Sequence, residues 1–183
     1  TMESIERIVA EFSEAWRAAG VKKGDVLIVH SDARSLLIKA NQRNSNFSPN
    51  DIVDSFIESV GPTGTILLPA FNFNVRNGVV FDIRNTPSEM GAITECLRKR
   101  YGSIRTQHPF LSFVVIGREA QRFAELDDYT GCGANSPFAL VHHLAGKIGV
   151  LGLLDNSSMS MNHYVELALG VNNRLIIDLE IEY

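Results

Sequence analysis

Cysteine is scarce in this sequence: two residues in 183, Cys96 and Cys132, far apart and outside any CxxC spacing. That excludes a disulfide framework and argues against a cysteine-built zinc site. The expectation is two reduced thiols in or near the core of a cytoplasmic protein. Clusters of Lys and Arg are lacking as well. The formal net charge is −4 and the cations are scattered, so no basic stripe offers itself to nucleic acid or to an anionic membrane. No apolar run approaches the roughly 20 residues that span a bilayer, and the acidic, amphipathic start TMESIERIVAEF is not laid out as a signal peptide. There is no internal repeat, no low-complexity segment, no phosphate-binding P-loop and no dinucleotide fingerprint.

What is present is the composition of an ordinary globular enzyme, 45% apolar and 21% charged, in a length that suits one domain with a substantial core. From Ser4 to Ala19 the residues Ile5, Ile8, Val9, Phe12, Ala15, Trp16 and Ala19 recur at helical spacing, and Gly20 ends the run. Val26 to Val29 is a short continuous apolar run, as expected for a strand buried on both faces. The alternation repeats. Ser48-Pro49 opens a helix and Gly61 to Gly64 breaks it; Thr65 to Phe71 forms a second strand. After an Asn- and Gly-containing loop, 72–87, a helix is expected from Ser88 to Tyr101 and a strand from Ser112 to Ile116. A helix through Ala120, Phe123 and Leu126 follows, then one capped by Ser136-Pro137 and a strand from Lys147 to Leu153. A short helix over Asn162 to Leu169 and a last strand over Arg174 to Tyr183 complete the pattern. Strands separated by helices argue for a layered α/β fold with at least part of its sheet parallel. The polar, Asn-rich stretch Leu37 to Phe47 reads as a long loop, either a lid or disordered.

Four segments carry chemistry. His30-Ser31-Asp32-Ala33-Arg34-Ser35 follows the first strand, where ligands of α/β sheets gather, though an ordinary turn would look the same. Arg105-Thr106-Gln107-His108-Pro109, with Ser112, combines a cation, a hydroxyl and an imidazole able to fix a phosphate or carbonyl; packing is the plainer reading of His108. Gly131 to Pro137 is best read as a helix cap. In His163-Tyr164-Val165-Glu166 the imidazole and carboxylate lie three apart, on one helix face. That spacing suits a carboxylate orienting a general base. It also suits two metal ligands, or a plain helix start with a solvated Glu.

In this order and separation the segments resemble the aminoglycoside 3-N-acetyltransferases, the antibiotic N-acetyltransferase family. The likeness runs through Gly20-Val21-Lys22-Lys23-Gly24-Asp25, Val29-His30-Ser31, Gly64-Thr65-Ile66-Leu67-Leu68-Pro69, Phe81-Asp82, Thr86-Pro87 and Met90-Gly91. It continues through Glu95, Arg98, Arg105 to Pro109, Ser112-Phe113, Gly133, Ser136-Pro137, Gly152, His163 and Glu166. Asp32 stands where the family usually has a second Ser.

The resemblance implies an α/β fold of layered, mixed and partly parallel sheet flanked by helices, distinct from the GNAT acetyltransferases. It implies transfer of an acetyl group from acetyl-CoA to an amine of an aminoglycoside or related amino sugar. His163 is then the catalytic base and Glu166 its acid partner. Ser31, Asp32, Ser35, Arg105, Thr106, His108 and Ser112 are expected on acetyl-CoA, and Phe71, Asn72 and Glu95 on the acceptor. No metal is expected, nor a nucleic-acid or membrane partner, and a homo-oligomer is compatible with this reading. Residues 1–183 are expected to form a single acetyltransferase-like domain, shortened on its C-terminal side. The alternatives are a non-catalytic CoA- or sugar-binding relative and a metal-dependent hydrolase using His108, His163 and Glu166.

Overall fold

A computed structural model describes residues 2–153 and 159–172. Their frame is a five-stranded sheet of order β3-β4-β2-β1-β5. The strands are β1 (Val26–Ser31), β2 (Thr65–Pro69), β3 (Ile104–Arg105), β4 (Phe113–Gly117) and β5 (Lys147–Leu151). β1 runs parallel to both β2 and β5, whereas β4 is antiparallel to β2 and to β3. The expected mixed, partly parallel sheet is therefore present.

The apolar run of β1 is split by the pleat between two cores. Leu27 and Val29 join Ile66, Leu68 and Val114 on one face. Val26 and Ile28 join Leu67, Phe113 and Val115 on the other. Helices α1 (Ile5–Ala18), α2 (Arg34–Arg43), α3 (Pro49–Val60) and α4 (Ala92–Arg98) cover the first face. Helices α5 (Ala120–Ala124) and α6 (Pro137–His143) cover the second, and α7 (Met161–Ala168) touches it through Met161 and Tyr164. Full burial of side chains the size of Ile28, Leu67 and Phe113 stabilises by roughly 1.5–3 kcal/mol each.

Local signals set most helix starts. Ser4 caps α1, its hydroxyl accepting the Arg7 N–H. Ser48 and Asp51 form a capping box on α3, with Pro49 in its first turn. Ser136 caps α6, accepting from the Ala139 N–H, with Pro137 next. Trp16 of α1 then meets Phe56 of α3 edge-on at 5.0 Å, while its indole N–H donates to Ser55 Oγ.

The structure corrects the expectation for Leu37 to Phe47. Most of that stretch is helix α2. Its local hydrophobicity is low, but Arg43 at its end donates to both oxygens of Glu3 at 2.9 and 2.8 Å and to Glu11 at 2.6 Å. Asn44 adds a bond to the Glu3 carbonyl. Partners 32 to 41 residues earlier are invisible to a local reading. Helix α4 begins at Ala92, later than its periodicity suggests, because Gly91 has φ 101° and Ser88 binds Glu95 instead of starting a helix. The two-residue β3 is too short to announce itself. The last strand expected over Arg174 to Tyr183 lies outside the described residues. No disulfide joins Cys96 and Cys132. Among the described residues no helix is long and apolar enough to cross a membrane.

Candidate active site

The sheet's register decides which residues meet. β1, β2 and β5 are parallel, so their carboxyl ends share one edge; β4 is antiparallel and pairs Phe113 with Pro69, bringing its amino end to that same edge. His30 from β1, Phe71 after β2, Leu111 before β4, and Met159 and Ser160 ahead of α7 therefore converge. They enclose a cleft of about 510 Å³. This is the position at which open α/β sheets bind ligands.

Helix α7 carries His163 and Glu166 into this cleft. The His163 backbone N–H donates to the Ser160 carbonyl at 3.1 Å, which closes the first turn of α7. His163 is exposed and Glu166 half-buried. The opposite wall is apolar: Phe71, Met90, and the pair Phe73 and Phe110, whose rings meet edge-on at 5.2 Å. Arg76 lays its guanidinium 5.7 Å over the Phe110 ring.

His30 forms part of the floor. Its side chain is buried, and loss of hydration pushes its pKa down to about 4, so the imidazole is neutral at pH 7. Its Nε2 lies 3.2 Å from Ser160 Oγ.

A second cleft of about 410 Å³ adjoins the first, sharing Met90. Ser31, Asp32 and Arg34 line one side, Glu89 and Gly91 the other. Asp32 Oδ1 accepts the Arg34 N–H at 3.1 Å, fixing the turn between β1 and α2. The two clefts together give space for a long molecule passing over the carboxyl end of β1.

The residues expected from sequence thus divide. His163, Glu166 and Phe71 line the first cleft, and Ser31 and Asp32 line the second. Ser35 is exposed in the first turn of α2 and stands outside the lining of both. Arg105, Thr106 and Ser112 are buried and turned inward. Arg105 donates to Ser112 Oγ and to the carbonyls of Ala70 and Thr86, and stacks 4.8 Å over Phe81. Ser112 Oγ donates to Ala70 O, and Thr106 Oγ1 accepts the Phe113 N–H. None of the three lines either cleft; they tie the chain leaving β2 at Ala70 to the start of β4.

Asn72 caps the short 3-10 turn Phe73–Asn77, accepting from the Asn74 N–H, and its amide donates to Pro87 O. Glu95 takes two bonds from Arg98, at 2.7 and 2.9 Å, and one from the Ser88 N–H. The Arg98 guanidinium holds the Glu95 carboxyl below its usual range.

His108 accepts the Leu111 N–H at Nδ1, 3.0 Å, and so shapes the strap that presents Leu111 and Phe110. Burial lowers its pKa, opposed by the Asp128 carboxylate. Among the described residues no group of three or more His, Cys, Asp and Glu is placed to hold a metal.

Sequence reading did not single out Ser160 or the aromatic wall of Phe73 and Phe110, and it passed over the His30 side chain for its hydroxyl neighbours. The available signal was the position of His30 at the carboxyl end of a buried strand.

The chain is thus an α/β protein with an imidazole and a carboxylate on one helix, beside two adjoining clefts at the sheet's carboxyl edge. The family model described as aminoglycoside 3-N-acetyltransferase matches residues 28–181, and the chain belongs to that family. It is 27% identical over 154 residues to aminoglycoside N(3)-acetyltransferase IV from Salmonella sp, covering 81% of this chain and 54% of that protein. The sisomicin-bound AAC-VIa structure superposes with a TM-score of 0.73 at 28% identity, covering 91% of this chain and 65% of the other. AAC-IIIb in its binary complex with CoASH gives a TM-score of 0.74 at 23% identity, covering 87% and 64%, a likeness of fold. The chain therefore spans about half to two thirds of the length of these relatives.

Proposed function

We propose that this chain acts as an acetyl-CoA-dependent N-acetyltransferase on an amino group of an aminoglycoside or related amino sugar. The observation that carries the reading is the placement of His163 and Glu166, on one helix face, in the cleft at the carboxyl edge of β1 and β2. An ammonium group cannot attack a thioester, so the acceptor must lose a proton, and an imidazole is the side chain suited to take it near neutral pH. His163 is the base. Glu166 orients it and stabilises the imidazolium that forms, as a triad carboxylate does.

The cleft lined by Ser31, Asp32, Arg34 and Gly91 is the reading's place for acetyl-CoA, with the thioester toward Met90 and His163. Arg105, Thr106, His108 and Ser112 support that binding from behind by fixing the strap and strand β4. Phe71 faces the acceptor; Asn72 and Glu95 hold the loop that carries Phe73.

Calorimetric titration with CoA, together with thiol release from acetyl-CoA in the presence of aminoglycosides, tests the proposal. Micromolar CoA binding, about −8 kcal/mol, with amine-dependent release is expected. His163→Ala should bind CoA normally and lose turnover by roughly 10²–10⁴-fold, the usual worth of a general base. Binding without release would instead indicate a non-catalytic relative, and near-normal turnover in His163→Ala would remove that residue from the mechanism.

A further inference from the structure

The cleft floor holds a contact that the base and its carboxylate leave unexplained. His30 Nε2 and Ser160 Oγ lie 3.2 Å apart, joining the end of β1 to the start of α7 across 130 residues of sequence. Both side chains line the cleft with His163 and Glu166. Ser160 immediately precedes α7, and its carbonyl receives the His163 N–H, so one turn of backbone carries both a hydroxyl and the base. A neutral imidazole has one N–H and one acceptor nitrogen. A serine hydroxyl has one proton, which turns toward whichever acceptor is offered.

We propose that Ser160 is a further catalytic residue, its hydroxyl donating to the thioester oxygen as that oxygen becomes an oxyanion, and that His30 is the positioning residue that aims it. This rests on the acetyl-transfer reading above. His30 donates from Nε2–H to Ser160 Oγ, which occupies a lone pair of the hydroxyl and leaves its proton directed into the cleft. Burial keeps His30 neutral, so the donor adds no charge that would hold a counter-ion there.

The step balances without any further reagent. The amine lone pair forms the N–C bond while the C=O π pair moves onto oxygen. When that pair returns, the C–S bond breaks and CoA leaves as a thiolate. The acceptor enters the step as the neutral amine, its ammonium proton having already passed to solvent. The second proton, lost by nitrogen as the amide forms, passes to His163 and from it to the sulfur. Ser160 gives a hydrogen bond throughout and keeps its proton. Donors aimed at a developing oxyanion act in the transition state more than in the ground state, so their loss falls on kcat.

The test uses the full chain, acetyl-CoA and a panel of aminoglycosides including sisomicin. Ser160→Ala should lower kcat by about 10²–10³-fold with the acetyl-CoA KM within about twofold. Ser160→Thr, which keeps the hydroxyl, should recover most of that loss. His30→Gln places an amide N–H near the Nε2 position and should stay within about tenfold of wild type, whereas His30→Phe should fall with Ser160→Ala.

Wild-type kcat in Ser160→Ala would overturn the proposal, as would a loss seen only in melting temperature, the signature of a merely structural contact. The ring nitrogens of His30 give a readout apart from activity. Their ¹⁵N spectrum at pH 7 should show the Nε2–H tautomer, and an Nδ1–H tautomer or a charged ring would overturn the proposal whatever the kinetics. Should wild type release no thiol with any amine, the acetyl-transfer reading itself fails and the role of Ser160 falls with it. An active wild type with an unimpaired Ser160→Ala sinks the Ser160 assignment alone.

Discussion

Arg105 and Ser112 meet at 3.0 Å, Nε to Oγ, and both donate to the same carbonyl, that of Ala70, at 2.9 Å. Ala70 leads out of β2 toward Phe71, and Ser112 leads into β4. The pair therefore ties together the two strand ends that frame the cleft, and Arg105 adds the carbonyl of Thr86 from the long loop.

Arg105→Met keeps much of the apolar stem and removes every donor. The Thr86 carbonyl loses its guanidinium, and Ala70 keeps only Ser112. Unsatisfied buried groups of this kind cost about 1–3 kcal/mol each, so a loss of roughly 2–4 kcal/mol in urea unfolding is expected. In protein kept well below its melting temperature, the acetyl-CoA KM should stay within about twofold of wild type. Unchanged stability with a raised KM would place Arg105 on the cosubstrate instead.

Gly152 sits directly after β5 with φ 69°, and a Cβ there would collide with the carbonyl oxygen of Asp32. Gly152→Ala must either strain the backbone or push the Ser31-Asp32 turn away from the second cleft. A cost of about 1–3 kcal/mol is expected from the strain, together with a rise in the acetyl-CoA KM. Gly102→Ala is the control, since Gly102 also has positive φ (83°) but a Cβ there meets nothing within 4 Å. It should lose stability without moving KM. Equal KM values for both variants would show that the Asp32 turn does not bear on the cosubstrate.

His30 makes stability depend on pH in a defined direction. Burial lowers its pKa from 6.5 to about 4, so between those values the unfolded chain takes up a proton that the folded chain refuses. Folding is favoured above 6.5, and that advantage is lost as pH falls toward 4. His108 is also lowered by burial and acts in the same sense. Urea unfolding across this window should show stability falling with pH. His30→Gln should make the slope shallower by the contribution of up to about one proton. An unchanged slope would mean that His30 is protonated in the fold.

Much of the architecture was legible from sequence because its signals are local. The apolar runs of β1 and β2, the Ser-Pro starts of α3 and α6, and the periodicity of α1 each lie within a dozen residues. Helix α2 was not legible, since Arg43 is held by Glu3 and Glu11 and not by its own hydrophobicity. The start of α4 slipped for a similar reason: Glu95 binds the Ser88 N–H from within the helix.

For the site, spacing alone put His163 and Glu166 on one helix face, because 3.6 residues per turn is a property of the local chain. The sequence by itself determined an α/β fold, its family and that pair. Which other residues join them was a matter of strand order and direction. β4 runs antiparallel to β2, which brings Leu111 and Phe110 to the cleft while turning Arg105, Thr106 and Ser112 inward as its support. β5 lies beside β1, which places Ser160 against His30. Contacts between residues so distant in the chain leave no periodicity behind, so only the tertiary structure decided them.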